Sequence, residues 1–466
     1  MRTFTLLTLA VAALVQVTTA YLPPFCDGPG HHPPYCPGSK SLLSHMNGSV
    51  QVTTLGPELR RQCTVYAHGG NVSDVPNILK AFDECNHGGH VVFPEDQNYF
   101  IGEKLNPTLY DVSVEWRGWW TVKPDIAYWA NNQSHYFIQF QNHVAAIVFS
   151  GDHFKIDGHG TGGIFGNGNL WYQAEQGTSV FGRPMAFVFW NVSDVQVDNF
   201  KNLDPPFWST NIMNGTNMYF NNLVNNATAP GAPYGEDWVQ NTDGFDTMNV
   251  NNIYVTNFTY QGGDDCQAIK DQSYNVFAKN VTCIGGNGIA VGSLGQYLDD
   301  ASVANYEVDG ANIYPYNGVF GQGAYIKTWV GVPVAQDFYE SCCQPRGGGW
   351  GSVRNMVFRN FNLHGPQRVG AINQANGDNA NGTYAGTSNM EISNVVFANF
   401  TGFLNGQAPN DDTVQIQCSE RHPCFNIELQ NITATNGPNT TSLGLVSCEW
   451  IAPGGVHLGN MNGTGC

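Results

Sequence analysis

The sequence predicts an all-β chain wound as a single parallel β-helix, a solenoid with a short helix closing its N-terminal end. Three observations carry this. A phrase of Asn, apolar, x, apolar, x, Asn, apolar recurs as Asn217-MYFNNL, Asn252-IYVTNF, Asn275-VFAKNV, Asn355-MVFRNF, Asn394-VVFANF and Asn426-IELQNI, with variants at Asp194 and Asn305. Its alternation is that of a strand with one face inward, and Asn at a strand end tolerates left-handed turn geometry. The starts lie 23, 35, 23, 30, 50, 39 and 32 residues apart, so the shortest intervals measure one coil and the longer ones contain insertions. Third, Asp74-VPNILKAFDEC places Val75, Ile78, Leu79 and Phe82 at helical spacing, with Ser73 or Asp74 as cap, and a solenoid needs such a cover on its first coil. A β-sandwich also has short alternating strands, but its turns recur every ~8–12 residues without a repeated Asn.

Taken from the N-terminus, residues 1–20 read as a secretory signal: Arg2, an apolar run too short to span a bilayer, then small residues ending at Ala20. Residues 21–60 are rich in Pro and Gly and form an arm, and 61–466 is the solenoid domain. No later stretch reads as a membrane span or anchor tail, so the expected location is extracellular. All 12 cysteines follow residue 20, as disulfides in an oxidising compartment require. Sequence separation favours Cys63–Cys85, Cys266–Cys283, Cys418–Cys424 and Cys448–Cys466, and leaves Cys26, Cys36, Cys342 and Cys343 unassigned. The 13 sequons begin at Asn47, Asn71, Asn132, Asn191, Asn214, Asn226, Asn257, Asn280, Asn381, Asn399, Asn431, Asn439 and Asn462, and glycosylation is expected at some of them.

A hydrophobic share of 42% supports a sizeable core. The net charge of −18, from 19 basic and 37 acidic side chains, argues against nucleic acid and against an anionic membrane surface. It leaves room for an acidic substrate, because a few cations in a cleft outweigh a distant field.

Chemistry concentrates in residues 241–327: Asn241-Thr242-Asp243-Gly244, Gly262-Gly263-Asp264-Asp265-Cys266, Gly286-Asn287-Gly288 and Tyr325-Ile326-Lys327. Asp243 to Asp265 is 22 residues, and Asp265 to Asn287 is again 22. If one coil takes that length, the three positions stack on adjacent turns ~4.8 Å apart. Like charges that close raise the proton affinity of one carboxylate, as acid/base catalysis needs. Lys270 and Lys327 stand out as anion binders in a cation-poor chain. Acidic residues beside Gly and Asn are also ordinary turn formers; the shared register is what sets these apart.

These motifs resemble glycoside hydrolase family 28, the polygalacturonases and related pectin hydrolases, which carry N-T-D, D-D, G-H-G and R-I-K on a right-handed parallel β-helix. QGGDDCQAIK and GGNGIAVGSLGQY look closest to the exo-acting galacturan 1,4-α-galacturonidases. The resemblance implies Asp264 as general acid, Asp243 and Asp265 as the carboxylates that activate water, and inverting hydrolysis. It implies Lys327 as a cation for a galacturonate carboxylate, with Asn241, Lys270, Asn287 and Tyr325 lining the substrate site. No metal or organic cofactor is implied. The expected partner is an acidic plant cell-wall polysaccharide or oligogalacturonide, and the expected state is a monomer.

Two positions depart from the family pattern. Asn287 stands where the family has His and cannot titrate; Tyr325 stands where it has Arg and cannot clamp a carboxylate bidentately. Both changes count against plain endo-polygalacturonase action. They fit an exo-enzyme that releases galacturonate from chain ends, or a hydrolase of rhamnogalacturonan or substituted galacturonan. A pectate lyase and a non-catalytic polysaccharide binder are the readings from other classes. A lyase would need a calcium cluster and a basic proton acceptor, and a binder would not need the three aspartates.

Overall fold

The computed structural model describes residues 61–336, 345–379 and 382–466. The signal segment, the arm with the Asn47 sequon, the Asn381 sequon and Cys26, Cys36, Cys342 and Cys343 lie outside the described residues.

Twenty-five strands join in one sheet that winds through successive coils. Long strands stack in parallel in chain order, among them Phe187–Asp198, Thr210–Asn221, Phe245–Gln261, Ser273–Ile284, Val303–Tyr314, Trp350–His364 and Asn389–Phe403. Shorter strands stack in a second parallel row: Asp265–Ile269, Gly288–Leu294, Gln322–Trp329, Arg368–Asn376 and Asp412–Gln417. This is the parallel β-helix that the recurring phrase predicts, right-handed as the family resemblance implies.

The phrase has a physical reason beyond strand alternation. Asp194, Asn217, Asn252, Asn275, Asn305, Asn355, Asn394 and Asn426 all have φ between 54° and 63°. This left-handed region costs Asn less than most residues. Each side-chain amide also bonds its counterpart one coil back: Asn217 to Asp194 at 3.1 Å, Asn252 to Asn217 at 2.9 Å, Asn305 to Asn275 at 2.7 Å, Asn355 to Asn305 at 2.9 Å, Asn394 to Asn355 at 3.1 Å and Asn426 to Asn394 at 2.6 Å. Asn275 bonds Asn251 instead of Asn252, at 2.7 Å. A second ladder runs through the later Asn of the phrase, including Asn257 to Asn221, Asn280 to Asn257 and Asn431 to Asn399.

Inward residues form one aromatic-rich core. Phe358 stacks over Phe397 at 5.4 Å and Phe361 over Phe400 at 4.5 Å, so coil-to-coil register is fixed inside as well as at the turns. The N-terminal end is covered by the helix Val75–Glu84, which buries Val75, Ile78, Ala81 and Phe82; Leu79 packs only partly. Asp74 is at the N-cap but its carboxylate caps no helical N–H. It accepts instead from the main chain of His68 and Phe100, both at 2.7 Å, and so ties the helix to the first coils. Ser73 Oγ reaches the Val75 N–H at 3.4 Å. Cys63–Cys85, Cys266–Cys283, Cys418–Cys424 and Cys448–Cys466 are disulfides.

A small separate sheet of Tyr136–Ile138, His143–Ala145 and Pro184–Met185 had no signal in the repeat pattern. It sets Phe140 and His143 against Trp208, and Phe140 against Tyr297.

Candidate active site

The three aspartates converge where the strands Phe245–Gln261 and Asp265–Ile269 begin. One oxygen of each of Asp243, Asp264 and Asp265 lies within 4.8 Å of the others. Asp243 and Asp265 are buried, at 3% and 1% exposure, and Asp264 is part-exposed. Phe245 pairs with Gln267, so Asp243 and Asp265 do share a 22-residue register. The next coil does not repeat it. Asp265 pairs with Gly288, and the register shifts at this point. Asn287 therefore falls beside Asp264, 23 residues away, and not beside Asp265. Gly286 makes the offset possible: its φ is +63°, and a Cβ there would lie 1.8 Å from the Asp264 carbonyl oxygen.

Each carboxylate is held differently. Asp264 is held by neutral donors: Asn241 Nδ2 at 3.0 Å, Asn287 Nδ2 at 2.9 Å and the Asp265 main-chain N–H at 2.9 Å. Its main chain is gripped as well, by the Tyr260 hydroxyl at 3.0 Å and the Asn287 N–H at 2.9 Å. Asp265 accepts from Lys327 Nζ at 2.8 Å and from the Tyr325 hydroxyl, and Lys327 also donates to that hydroxyl at 2.8 Å. Asp243 has Lys270 Nζ at 3.9 Å from its Oδ2, while its Oδ1 has no hydrogen-bond partner among the described residues.

Enclosure is the largest influence on Asp243 and Asp264, and it raises the proton affinity of both. Asp265 pushes Asp264 further up, and Lys327 and Lys270 oppose this. Asp264 and Asp246 push Asp243 up, against Lys270. Burial raises the Tyr325 phenol well above its ordinary range, so it stays a hydrogen-bond donor.

Asn241, Asn287, Tyr325 and Lys327 are thus bonded to carboxylates and not simply facing a substrate. A buried carboxylate must be paired or solvated, and these are the pairs. Lys270 departs furthest from the expectation: its side chain is 6% exposed and its ammonium is 3.2 Å from Asp246. Trp208 and Trp329, which could have offered stacking surfaces, are buried at 4% and 6% exposure.

Sequence reasoning missed three residues. Tyr260 fixes the main chain of Asp264. Asp246 faces Lys270. Asp237 abuts Gly263, whose added Cβ would lie 2.1 Å from its Oδ1; burial, then Asp264, raises its pKa to about 7. The second Asp of the run NTDGFD was the available signal for Asp246. Tyr260 and Asp237 had none, because contacts across the turn are not periodic in sequence. The segments Ala227–Trp238 and Tyr314–Gly321 are joined: Asn317 Nδ2 donates to the carbonyls of Pro233 and Glu236 at 2.7 and 2.9 Å.

Residues 92–451 match the model of glycosyl hydrolases family 28. The chain is 58% identical over 395 residues to a protein of Aspergillus niger named "Putative galacturan 1,4-alpha-galacturonidase C", covering 85% of this chain and 92% of that one. It is 33% identical over 379 residues to exopolygalacturonase X of Aspergillus niger, covering 80% and 82%. Among solved structures, endo-xylogalacturonan hydrolase from Aspergillus tubingensis superposes with a TM-score of 0.71 at 24% identity, covering 87% of this chain and all of that one. An exopolygalacturonase from Thermotoga maritima gives 0.59 at 16% identity, covering 81% and 88%. These two structural likenesses are of fold. The family match spans the fold, the aspartate site and both joined loops, and the protein is a glycoside hydrolase belonging to glycosyl hydrolases family 28.

Proposed function

We propose that the protein is a secreted, monomeric, exo-acting hydrolase that releases galacturonate from the ends of galacturonan chains. Asp264 is the general acid that protonates the leaving oxygen, and Asp243 and Asp265 activate water. The observation that carries this reading is the unequal holding of the three carboxylates. Asp264 is part-exposed, held by neutral amides and raised in proton affinity, as a proton donor must be. Asp265 is fixed by an ammonium at 2.8 Å, a pairing that leaves it no part as the proton donor. Lys327 has three N–H donors, two of them engaged among the described residues, and the third would take a substrate carboxylate. The four disulfides and the exposed sequons Asn71, Asn132, Asn439 and Asn462 support passage through an oxidising secretory compartment. The names of the galacturonidase and exopolygalacturonase relatives support galacturonate release.

Stereochemistry follows the family resemblance, which implies inversion. A two-carboxylate spacing rule leans the other way, since inverting pairs are commonly ~6.5–9.5 Å apart and retaining pairs ~5–5.5 Å. Here three carboxylates share the work. A water held by Asp243 and Asp265 together does not require the wide gap of a two-residue site, so inversion is retained as the reading. Family membership sets aside the lyase and the non-catalytic binder.

The test is chromatography of timed digests of polygalacturonate, rhamnogalacturonan and xylose-substituted galacturonan. Free galacturonate from the earliest times, without larger oligomers, is expected on polygalacturonate. Early oligomers, or cleavage of another polymer only, would overturn the exo-galacturonan reading. Proton NMR of the first-formed anomer decides inversion. Asp264→Asn should cost at least ~10²-fold in kcat, the lower bound for general acid catalysis; more than a tenth of the wild-type rate would remove Asp264 from that role.

A further inference from the structure

Lys270 ends the run that begins at Asp264, yet its charge is directed to the floor of the site. Its Nζ is 3.2 Å from Asp246 Oδ1, 3.9 Å from Asp243 Oδ2 and 4.3 Å from the centre of the Trp208 ring. Trp208 is in turn backed by His143, at 4.4 Å between ring centres, and by Phe207 at 5.5 Å. His143 is buried, and both burial and Lys270 hold its proton affinity well below the ordinary range, so it brings no competing charge. The ammonium lies against the Trp208 ring and beside two carboxylates.

Asp243 needs such a cation. Asp264 and Asp265 face it from the neighbouring turn, Asp246 from its own strand, and the hydroxyl of Tyr260 lies close by. Lys327 is committed to Asp265 at 2.8 Å. Lys270 is the cation within 4 Å of Asp243 among the described residues. Without it, a carboxylate enclosed among three others would hold its proton more tightly still and serve worse as a base. Asp265 is differently placed: both its oxygens are engaged, by Lys327 and by Tyr325, whereas Asp243 has one oxygen that no described residue engages.

We infer that Lys270 is a positioning residue that favours the ionised form of Asp243, which makes Asp243 the carboxylate that takes the proton from water and Asp265 a fixed counter-charge. The inference rests on the proposed hydrolysis by the aspartate site. It deepens that reading by dividing the two carboxylates that it treats together. The proton leaves water for Asp243 as the oxygen attacks the anomeric carbon, and Asp264 gives its proton to the departing oxygen, so no further reactant is needed.

The test is kcat/KM against pH for Lys270→Met, Lys270→Arg and Asp246→Asn, each on the polymer that the wild type cleaves fastest. The acid limb reports the base, since activity falls as the base gains its proton. Loss of the ammonium must raise that limb. Lys270→Met should move it up by at least about one pH unit, which lowers the rate on the acid side about tenfold, with recovery at higher pH and little change in KM. Lys270→Arg keeps the charge and should hold the limb in place. Asp246→Asn leaves Asp243 as the carboxylate partner of Lys270, so the limb stays or moves down. An unmoved limb in Lys270→Met, whether the rate is full, uniformly reduced or lost through KM, overturns the inference. So does an upward shift in Asp246→Asn, which settles the question if Lys270→Met fails to fold. A wild type that yields oligomers would sink the exo reading and leave this test intact.

Discussion

Asn287→Ala isolates the residue that most separates this site from the family pattern. The side chain gives Asp264 Oδ1 one of the three hydrogen bonds that the carboxylate accepts, at 2.9 Å. Its φ is not left-handed, so Ala can follow the same backbone, and the main-chain N–H keeps its bond to the Asp264 carbonyl. A hydrogen bond to a charged group contributes about 1.5–3 kcal/mol. With 1.36 kcal/mol per pKa unit, full loss would raise the proton affinity of Asp264 by about one to two units. The Asn241 amide and the Asp265 N–H still hold the carboxylate, so the differential effect is nearer about one unit. The sign follows from the role. A general acid must carry its proton, a higher affinity holds that proton to higher pH, and the basic limb of kcat/KM moves up by about one unit. The rate at the optimum should fall about tenfold, because the carboxyl loses a constraint on its orientation; that is about 1.4 kcal/mol. Reducing-sugar release at fixed ionic strength measures both, with Asp264→Asn as the inactive control. A basic limb that stays put or moves down, at any rate, refutes the argument.

Lys327→Met strips the ammonium from Asp265, which is 1% exposed; breaking such a pair costs about 3–5 kcal/mol. Thermal or urea unfolding should show it together with a fall in kcat/KM, and unchanged stability would mean that the pair adds nothing to the fold. Burial raises Asp237, Asp271 and Glu307 from ordinary values of 3.8, 3.8 and 4.5 to about 7. Their folded-state affinity for protons exceeds the unfolded one, so the stability they contribute is full below about pH 4 and lost as pH rises to about 7. Melting temperature should therefore fall between those values, and a steady rise would contradict it. Stacked sequons make the last prediction: Asn280 Nδ2 donates to Asn257 Oδ1 at 2.7 Å and Asn431 to Asn399 at 3.1 Å. Adjacent strands are ~4.8 Å apart, too close for two bulky glycans side by side. Intact-glycopeptide mass spectrometry of protein from a glycosylating host should find one or neither of each pair modified; a peptide carrying both would refute this.

The parts of the molecule legible in sequence are those that repeat. Asn at a left-handed corner and apolar residues at alternate positions serve every coil alike, so they appear eight times and announce the solenoid. The helix over the first coil was equally plain, because Val75, Ile78 and Phe82 need a 3.6-residue period to reach one core. The aspartates were legible because Asp243 and Asp265 follow the coil period. What escaped was what breaks it. Gly286 shifts the register by one residue and hands Asn287 to Asp264. Lys270 read as a substrate-facing anion binder because nothing local marks Trp208, 62 residues earlier, as its cover. The small sheet around His143 reaches Tyr297 across 156 residues, as the bond from the Gln141 N–H to the Tyr297 hydroxyl records, and no pattern in sequence encodes such a reach.

The asparagine ladder makes the price of a lost amide depend on where along the axis it is lost. Asn305 donates to Asn275 and accepts from Asn355, so its replacement severs two links. Asn426 donates to Asn394 and ends its run, so its replacement severs one. At about 1 kcal/mol per link, the interior rungs resist opening more than the terminal ones. Nearest-neighbour stacking lets such a structure fray from its ends inward. The helix guards one end, and the last coil carries the Cys448–Cys466 bridge. Amide exchange should then deepen toward the central coils, where the aspartates are, so the turns that hold them would be the last part of the solenoid to come undone.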